Sequence, residues 1–130
     1  MTATKRKHIQ NRRRAQRVRR ALRTSLAKTE RRGVARLRLS VIKTNKHLHV
    51  QLIDDAKGHT IAACSTASKS AQESGIGSKT KENATKLGET FAKVVKEKKV
   101  DRVVFDRGSK KYHGVIAAFA DSMRAGGIAF

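Results

Sequence analysis

Proline and tryptophan are absent from this 130-residue sequence, cysteine occurs once, and aromatic residues make up only 4%. Acids are scarce too: 10 Asp+Glu stand against 31 Lys+Arg, for a formal charge of +21. Each shortage excludes something. A lone Cys64 closes no intramolecular disulfide and no multi-thiolate zinc site; as a small residue in a strand it fits a reducing compartment. No apolar run reaches the roughly 18–20 residues of a spanning helix. The N-terminus lacks the apolar segment of about 7–15 residues that a signal peptide needs, and its few serines argue against a transit peptide. There is no glycine-rich phosphate loop with its lysine, so nucleotide hydrolysis has no support. The length suits one domain plus a tail rather than two separate cores.

What is abundant is positive charge, and it is unevenly placed. Residues 1–38 carry +14, from 15 Lys+Arg and the single acid Glu30, whereas residues 39–130 carry +7. Such an excess repels itself and favours a polyanionic partner, either nucleic acid or an anionic membrane surface. In the first segment Ala15, Val18, Leu22 and Leu26 recur at helical spacing and form one narrow apolar stripe. Lys5, Arg6, Lys7, Arg12, Arg13, Arg14, Arg17, Arg19, Arg20, Arg23, Arg31 and Arg32 cover the other faces, followed by Arg36 and Arg38. Like charges three and four apart destabilise an isolated helix, so residues 1–33 are expected to be a basic arm, partly disordered alone and helical once neutralised. A solvated helix face mixes signs, and this one does not. The stripe is narrow and lacks Trp or Phe, which argues against a membrane-surface helix.

From residue 34 onward the period changes. Leu37, Leu39 and Val41 alternate with Arg38, Ser40 and Ile42, and Leu48, Val50 and Leu52 with His47, His49 and Gln51, giving two strands with one buried face each. Thr44-Asn45-Lys46 and Asp54–Gly58 read as turns, and residues 59–66 as a third strand. Residues 65–78, small and polar, are expected to form a mobile loop. A helix then starts at Ser78 or Thr80, with Ala84, Leu87, Gly88, Phe91, Val94 and Val95 inward. A fourth strand is expected over 100–105, a helix marked by Tyr112, Val115, Ile116, Phe119 and Met123, and an edge strand over 128–130. The order predicts an α/β domain over 34–130. Its mixed sheet combines an antiparallel three-stranded meander with one crossover strand, covered by two helices. The opposite sheet face would carry Arg38, Ser40, His47, His49 and Gln51, a polar, cationic surface suited, with the arm, to a nucleic-acid backbone.

Several constellations invite chemistry. His47 and His49 share a side of a strand, but a metal needs three or four ligands and no third is near; hydrogen bonding or stacking on RNA is the expected role. Asp54, Asp55 and Asp106 would have to converge to make a two-metal nuclease. The first strand offers no acid; Asp54 and Asp55 suit a turn, and Asp106 suits ordering its loop or pairing with a basic neighbour. The segment Asp106–Gly114 is the densest functional mixture: Arg107, Lys110 and Lys111 can contact phosphates, while Tyr112 and His113 can stack or hydrogen-bond. No metal, cofactor or catalytic residue is expected. No helix-turn-helix, zinc finger or basic zipper is present, and an Arg-rich arm that folds on binding favours RNA over DNA.

Two stretches, RLSVIKTNKHLHVQLIDDAKGHTIAACST (38–66) and VVFDRGSKKYHGVIAAFADSMRAGGIAF (103–130), resemble the two halves of the bacterial large-subunit ribosomal protein uL18 family. The resemblance implies a non-enzymatic component of the large ribosomal subunit in the cytoplasm. That component binds 5S rRNA and bridges it to 23S rRNA in the central protuberance, beside neighbouring 5S-binding ribosomal proteins, with no DNA or membrane partner. It also implies a ribonuclease-H-like topology without catalysis, and RNA contacts at the arm, at Asn45, Lys46, His47 and Gln51, and at Arg107, Tyr112 and His113. The sequence departs from the family at His49, often Tyr, and at Val115, often Arg. The rival readings are a ribonuclease-H-like nuclease and a non-ribosomal RNA-binding protein.

Overall fold

The structure, a computed structural model, describes the backbone of residues 2–31 and 37–130 and the side chains of residues 2–24 and 37–130. The Leu26, Arg31, Arg32 and Arg36 side chains, and the boundary drawn at residue 33, lie outside that description. The first element is a single helix, α1 (Ala3–Arg31), roughly 43 Å long at 1.5 Å per residue. Thr2 starts it: its carbonyl accepts from the Arg6 amide at 3.0 Å, and its hydroxyl accepts from the Lys5 amide. Asn11, Ala15, Val18 and Leu22 are half-buried and every other described side chain of α1 is exposed. This is the apolar stripe read from the sequence, extended by one turn, and it lies where α1 touches the fourth strand.

The domain follows as β1 (Leu37–Lys43), β2 (Leu48–Asp54), β3 (His59–Ser65), α2 (Lys69–Glu73), α3 (Lys81–Glu97), β4 (Val103–Asp106) and α4 (Val115–Ala125). The strand order is β3-β2-β1-β4, with β1, β2 and β3 antiparallel and β4 parallel to β1. The expected mixed sheet is therefore present. Leu39 and Val41 on β1, and Leu48, Val50 and Leu52 on β2, are buried against Leu87, Phe91 and Val95 of α3 and Ile116, Phe119 and Met123 of α4. Each such fully buried side chain contributes about 1.5–3 kcal/mol relative to exposure.

Four expectations need correction. Residues 65–78 are not a structureless loop: they contain α2, whose N-cap Ser68 accepts from the Ala71 amide while Ala71 itself is buried. A serine cap and one buried methyl suffice for a helix too short to show a periodic pattern. The fourth strand begins at Val103 rather than 100, because Asp101 and Ala129 exchange the local backbone bonds instead: the Ala129 amide donates to Asp101 O at 2.7 Å and the Val103 amide to Ala129 O at 3.0 Å. That same pairing reduces the expected last strand to one bridge, Arg102 to Ala129. Tyr112 precedes α4 rather than sitting in it. The helix starts only after Gly114, whose φ of +60° marks a left-handed turn that favours glycine.

Helices α3 and α4 approach closely at Gly88. A Cβ there would lie 2.7 Å from Ser122 Cβ and 2.9 Å from the Phe119 carbonyl oxygen. Ser122 is held in place by donating to the Thr85 carbonyl at 2.6 Å. In an open helix Gly→Ala stabilises by up to about 1 kcal/mol. Here backbone overlap reverses the sign, and Gly88→Ala is expected to destabilise by about 1–3 kcal/mol. Urea unfolding of the two proteins checks this; equal or greater stability of the variant would show that the helices separate freely.

Candidate nucleic-acid interface

Asp106 ends β4 and is nearly inaccessible, with 1% of its side chain exposed. Its Oδ1 accepts from the Gly108 amide at 2.9 Å, which turns the chain into the loop 107–113. Its Oδ2 accepts from Arg38 Nη1 at 2.8 Å, tying β4 to β1. The Arg19 Nε of α1 lies 3.6 Å from the same oxygen. The other side of the Arg38 fork is bidentate on Asp55, at 3.0 and 3.1 Å. The bond to Asp55 raises the Arg38 pKa, partial burial opposes that, and the bond to Asp106 adds to it; the net direction is upward.

This corrects the cationic sheet face. Arg38 does lie on it, but two carboxylates neutralise it, and they come from β4 and from the β2–β3 turn rather than from its own strand. The register also places Ile42 beside His49 and Ile53 beside Arg38, and Ile42 is 47% exposed. The face is mixed rather than uniformly basic. Asp54 behaves as turn chemistry demands: its Oδ1 accepts from the Ala56 and Lys57 amides. Among the described residues no group of three or more His, Cys, Asp or Glu side chains is placed to hold a metal.

Positive charge is concentrated where α1 meets the loop. Arg14 and Arg17 of α1 and Arg107 and Lys111 of the loop line one depression of about 370 Å³, floored by Val18, Gly108 and Ser109 and lined by no acid. Arg107 also closes its own loop by donating to the Lys110 carbonyl. Lys5, Arg6, Lys7, Arg12, Arg13, Arg20 and Arg23 are exposed along the rest of the helix, and Lys110 and His113 on the loop. Four cations around an acid-free hollow, with small residues beside them, have the charge and the room that a phosphate chain requires.

A second group gathers at the start of β2. Asn45 and Lys46 are exposed at the tip of a turn closed by the Thr44 amide donating to the His47 carbonyl at 2.9 Å. His47 Nδ1 lies 3.0 Å from the buried Thr66 hydroxyl, and His49 Nδ1 lies 2.8 Å from the Ser65 hydroxyl. The two rings stand edge to face, with centroids 6.4 Å apart. Each Nδ1 is engaged, so Nε2 is the nitrogen each ring can offer a partner, with half-buried Gln51 next along the strand. Cys64 is half-buried nearby, and burial pushes its thiol pKa up despite a backbone hydrogen bond that lowers it; the neutral thiol is a poor nucleophile.

One contributor escaped sequence reasoning. Arg124, in the last turn of α4, donates to the Tyr112 hydroxyl at 2.7 Å and lies 4.5 Å from the Phe130 ring centroid. Tyr112 lies in the loop before α4 and Arg124 in its last turn, so no one period relates them and nothing in the pattern marks the pair.

A family model described as ribosomal L18 of archaea, bacteria, mitochondria and chloroplasts matches residues 5–130. The chain belongs to the ribosomal L18 family. It is 51% identical over 118 residues to the large ribosomal subunit protein uL18 of Chlamydia muridarum (strain MoPn / Nigg), covering 91% of this chain and 89% of that one. The same protein of Chlamydia trachomatis serovar D is 52% identical over the same shares. That of Chlamydia pneumoniae is 48% identical over 124 residues, 95% of this chain and 94% of that one.

In this L18-family chain the two ion pairs of Arg38 should differ in weight. Asp55 is 47% exposed, and water screens its pair to below about 1 kcal/mol. Asp106 is buried, and Asp106→Asn would turn an amide donor toward a guanidinium donor. The expected cost is about 1.5–3 kcal/mol for Asp106→Asn, the range for a hydrogen bond to a charged group, and under about 1 kcal/mol for Asp55→Asn. Chemical denaturation of both variants gives the ranking, and a reversed order would refute the central place given to Asp106.

Proposed function

We propose that this chain is a non-enzymatic constituent of the large ribosomal subunit. In this reading it binds 5S rRNA and helps attach it to 23S rRNA in the central protuberance, beside neighbouring 5S-binding ribosomal proteins. The observation that carries the reading is the acid-free hollow shared by Arg14, Arg17, Arg107 and Lys111. It joins the basic arm to the loop 107–113, which is dense in cationic and hydrogen-bonding side chains. Phosphate neutralisation along α1 supplies affinity. Asn45, Lys46, His47, His49, Gln51, Tyr112 and His113 supply contacts to sugar and base that fix register. Family membership, shown above, supports the ribosomal setting.

The nuclease reading finds little to work with. Asp106, the one buried acid among the described residues, has both oxygens engaged by Gly108 and Arg38, and Asp54 is occupied by its turn. Among the described residues no convergent acid cluster is left to hold catalytic metals.

If the chain neutralises about 6–10 phosphates, its affinity for 5S rRNA should fall about 10³–10⁵-fold between 50 and 200 mM salt. Replacing Arg12, Arg13, Arg14 and Arg17 by Gln keeps good helix formers. It should reduce the slope of log K against log salt by about 3–4, since each lost phosphate contact removes about 0.7–0.9. Filter binding across a salt series measures both. An unchanged slope would remove α1 from the interface, and failure of the unmodified chain to bind 5S rRNA would overturn the reading.

A further inference from the structure

Five residues of the chain are aromatic, four Phe and one Tyr. Phe91 and Phe119 are fully buried in the core. The other three, Phe105, Tyr112 and Phe130, come from a strand, a loop and the last residue, yet converge on one place. Phe105 and Phe130 lie nearly parallel with centroids 5.2 Å apart, and Tyr112 stands edge-on to Phe105 at 6.0 Å. The Arg124 guanidinium packs 4.5 Å from the Phe130 centroid and 5.8 Å from that of Tyr112. Together with Arg107 these groups wall an alcove of about 390 Å³, at the small end of ligand-binding clefts. Tyr112 is 42% exposed, so its ring is presented rather than buried.

We propose that this alcove seats one unstacked base of the bound RNA, with Arg107 and Arg124 at its rim holding the adjacent phosphates. The inference rests on the ribosomal-RNA reading above and adds a site and a mode of recognition to it. Ring faces and a guanidinium plane are the surfaces on which a base stacks, irrespective of its identity. Charge decides between a base and an apolar side chain from a neighbouring protein. Arg124 is already held by the Tyr112 hydroxyl, by the Phe130 main-chain oxygen at 3.4 Å and by Asp121, 3.7 Å away and 75% exposed, whereas the described partner of Arg107 is the neutral Lys110 carbonyl. An apolar plug would cover the Arg107 guanidinium without a counter-charge, which is costly. A nucleotide brings its own phosphate.

Tyr112 is the chain's single tyrosine and there is no tryptophan, so intrinsic emission of the full chain reports on this site alone. On saturation with a 5S rRNA transcript, and after correction for RNA absorption, that emission should be quenched. Tyr112→Leu should weaken binding at fixed salt by about 5–150-fold, the equivalent of one stacked base, with an unchanged salt slope, while Tyr112→Phe stays within about threefold of the unmodified chain. Unchanged emission at saturation overturns the proposal even if the leucine variant folds poorly. So does a leucine variant that binds as tightly as the unmodified chain, and in both cases the 5S reading stands. Loss of incorporation into large subunits with RNA affinity intact would assign the alcove to a protein neighbour and equally overturn it. Failure of the unmodified chain to bind the transcript defeats the 5S reading first, and the alcove with it.

Discussion

One buried carboxylate organises this molecule. Asp106 receives Arg38 from β1, the Gly108 amide from the loop and the approach of Arg19 from α1. The sheet edge, the loop and the arm are thus held to one another through a single negative charge in a chain of +21. A buried ion pair is weak support for stability when judged against a hydrophobic replacement. Its value here is positional. It fixes where the loop leaves β4 and where the arm crosses it, and those two placements create the acid-free hollow.

The same carboxylate explains how so basic a chain divides its charge. Within the domain, Arg38 is neutralised twice, by Asp55 and Asp106, and contributes to fold rather than to an external field. Along α1 the described arginines other than Arg19 have no ion pair with the domain. The narrow stripe of Asn11, Ala15, Val18 and Leu22 is enough to lay the helix on β4 but leaves its charge exposed. Self-repulsion of that kind is relieved by a polyanion. Stability of the arm's position and affinity for RNA are therefore linked: what cancels the charge also removes the penalty on the helix.

The fold was legible in the sequence wherever a period of two or 3.6 residues ran long enough. The alternation through Leu39 and Val41, and through Leu48, Val50 and Leu52, marked both inner strands. The stripe from Ala84 to Val95 marked α3, and Ala15, Val18 and Leu22 marked the face of α1. What escaped was non-periodic or long-range. Helix α2 is five residues long and depends on one serine cap. The bridge from Arg102 to Ala129 joins segments whose local patterns say nothing of each other. The neutralisation of Arg38 depends on β4 lying parallel to β1 in a register that places Asp106 across from Ser40. A strand read alone as basic became electrically quiet once its neighbour was in place. The residues proposed to face RNA stand out in the sequence by type and charge, but Arg124 and the grouping of Phe105 with Phe130 needed coordinates.

Charge and aromatic surface would then carry different parts of recognition. Phosphate contacts along α1 are long-ranged, additive and sensitive to salt, and they read no sequence. They would hold an RNA helix of any composition. A seat for one unstacked base behaves in the opposite way: it is short-ranged, nearly independent of salt, and requires the RNA to expose a base at one point along its backbone. Arginine at position 124 suits that task better than lysine would, because its planar guanidinium can stack on rings and hydrogen-bond the Tyr112 hydroxyl at once. A compact ammonium keeps its hydration and offers no plane. The spacing between the hollow and the alcove, both bordered by Arg107, would then act as a ruler. An RNA that satisfies the arm but lacks an unpaired base at that distance gains only the nonspecific part of the affinity. Selection of one folded RNA among many would rest on Arg107 serving both sites.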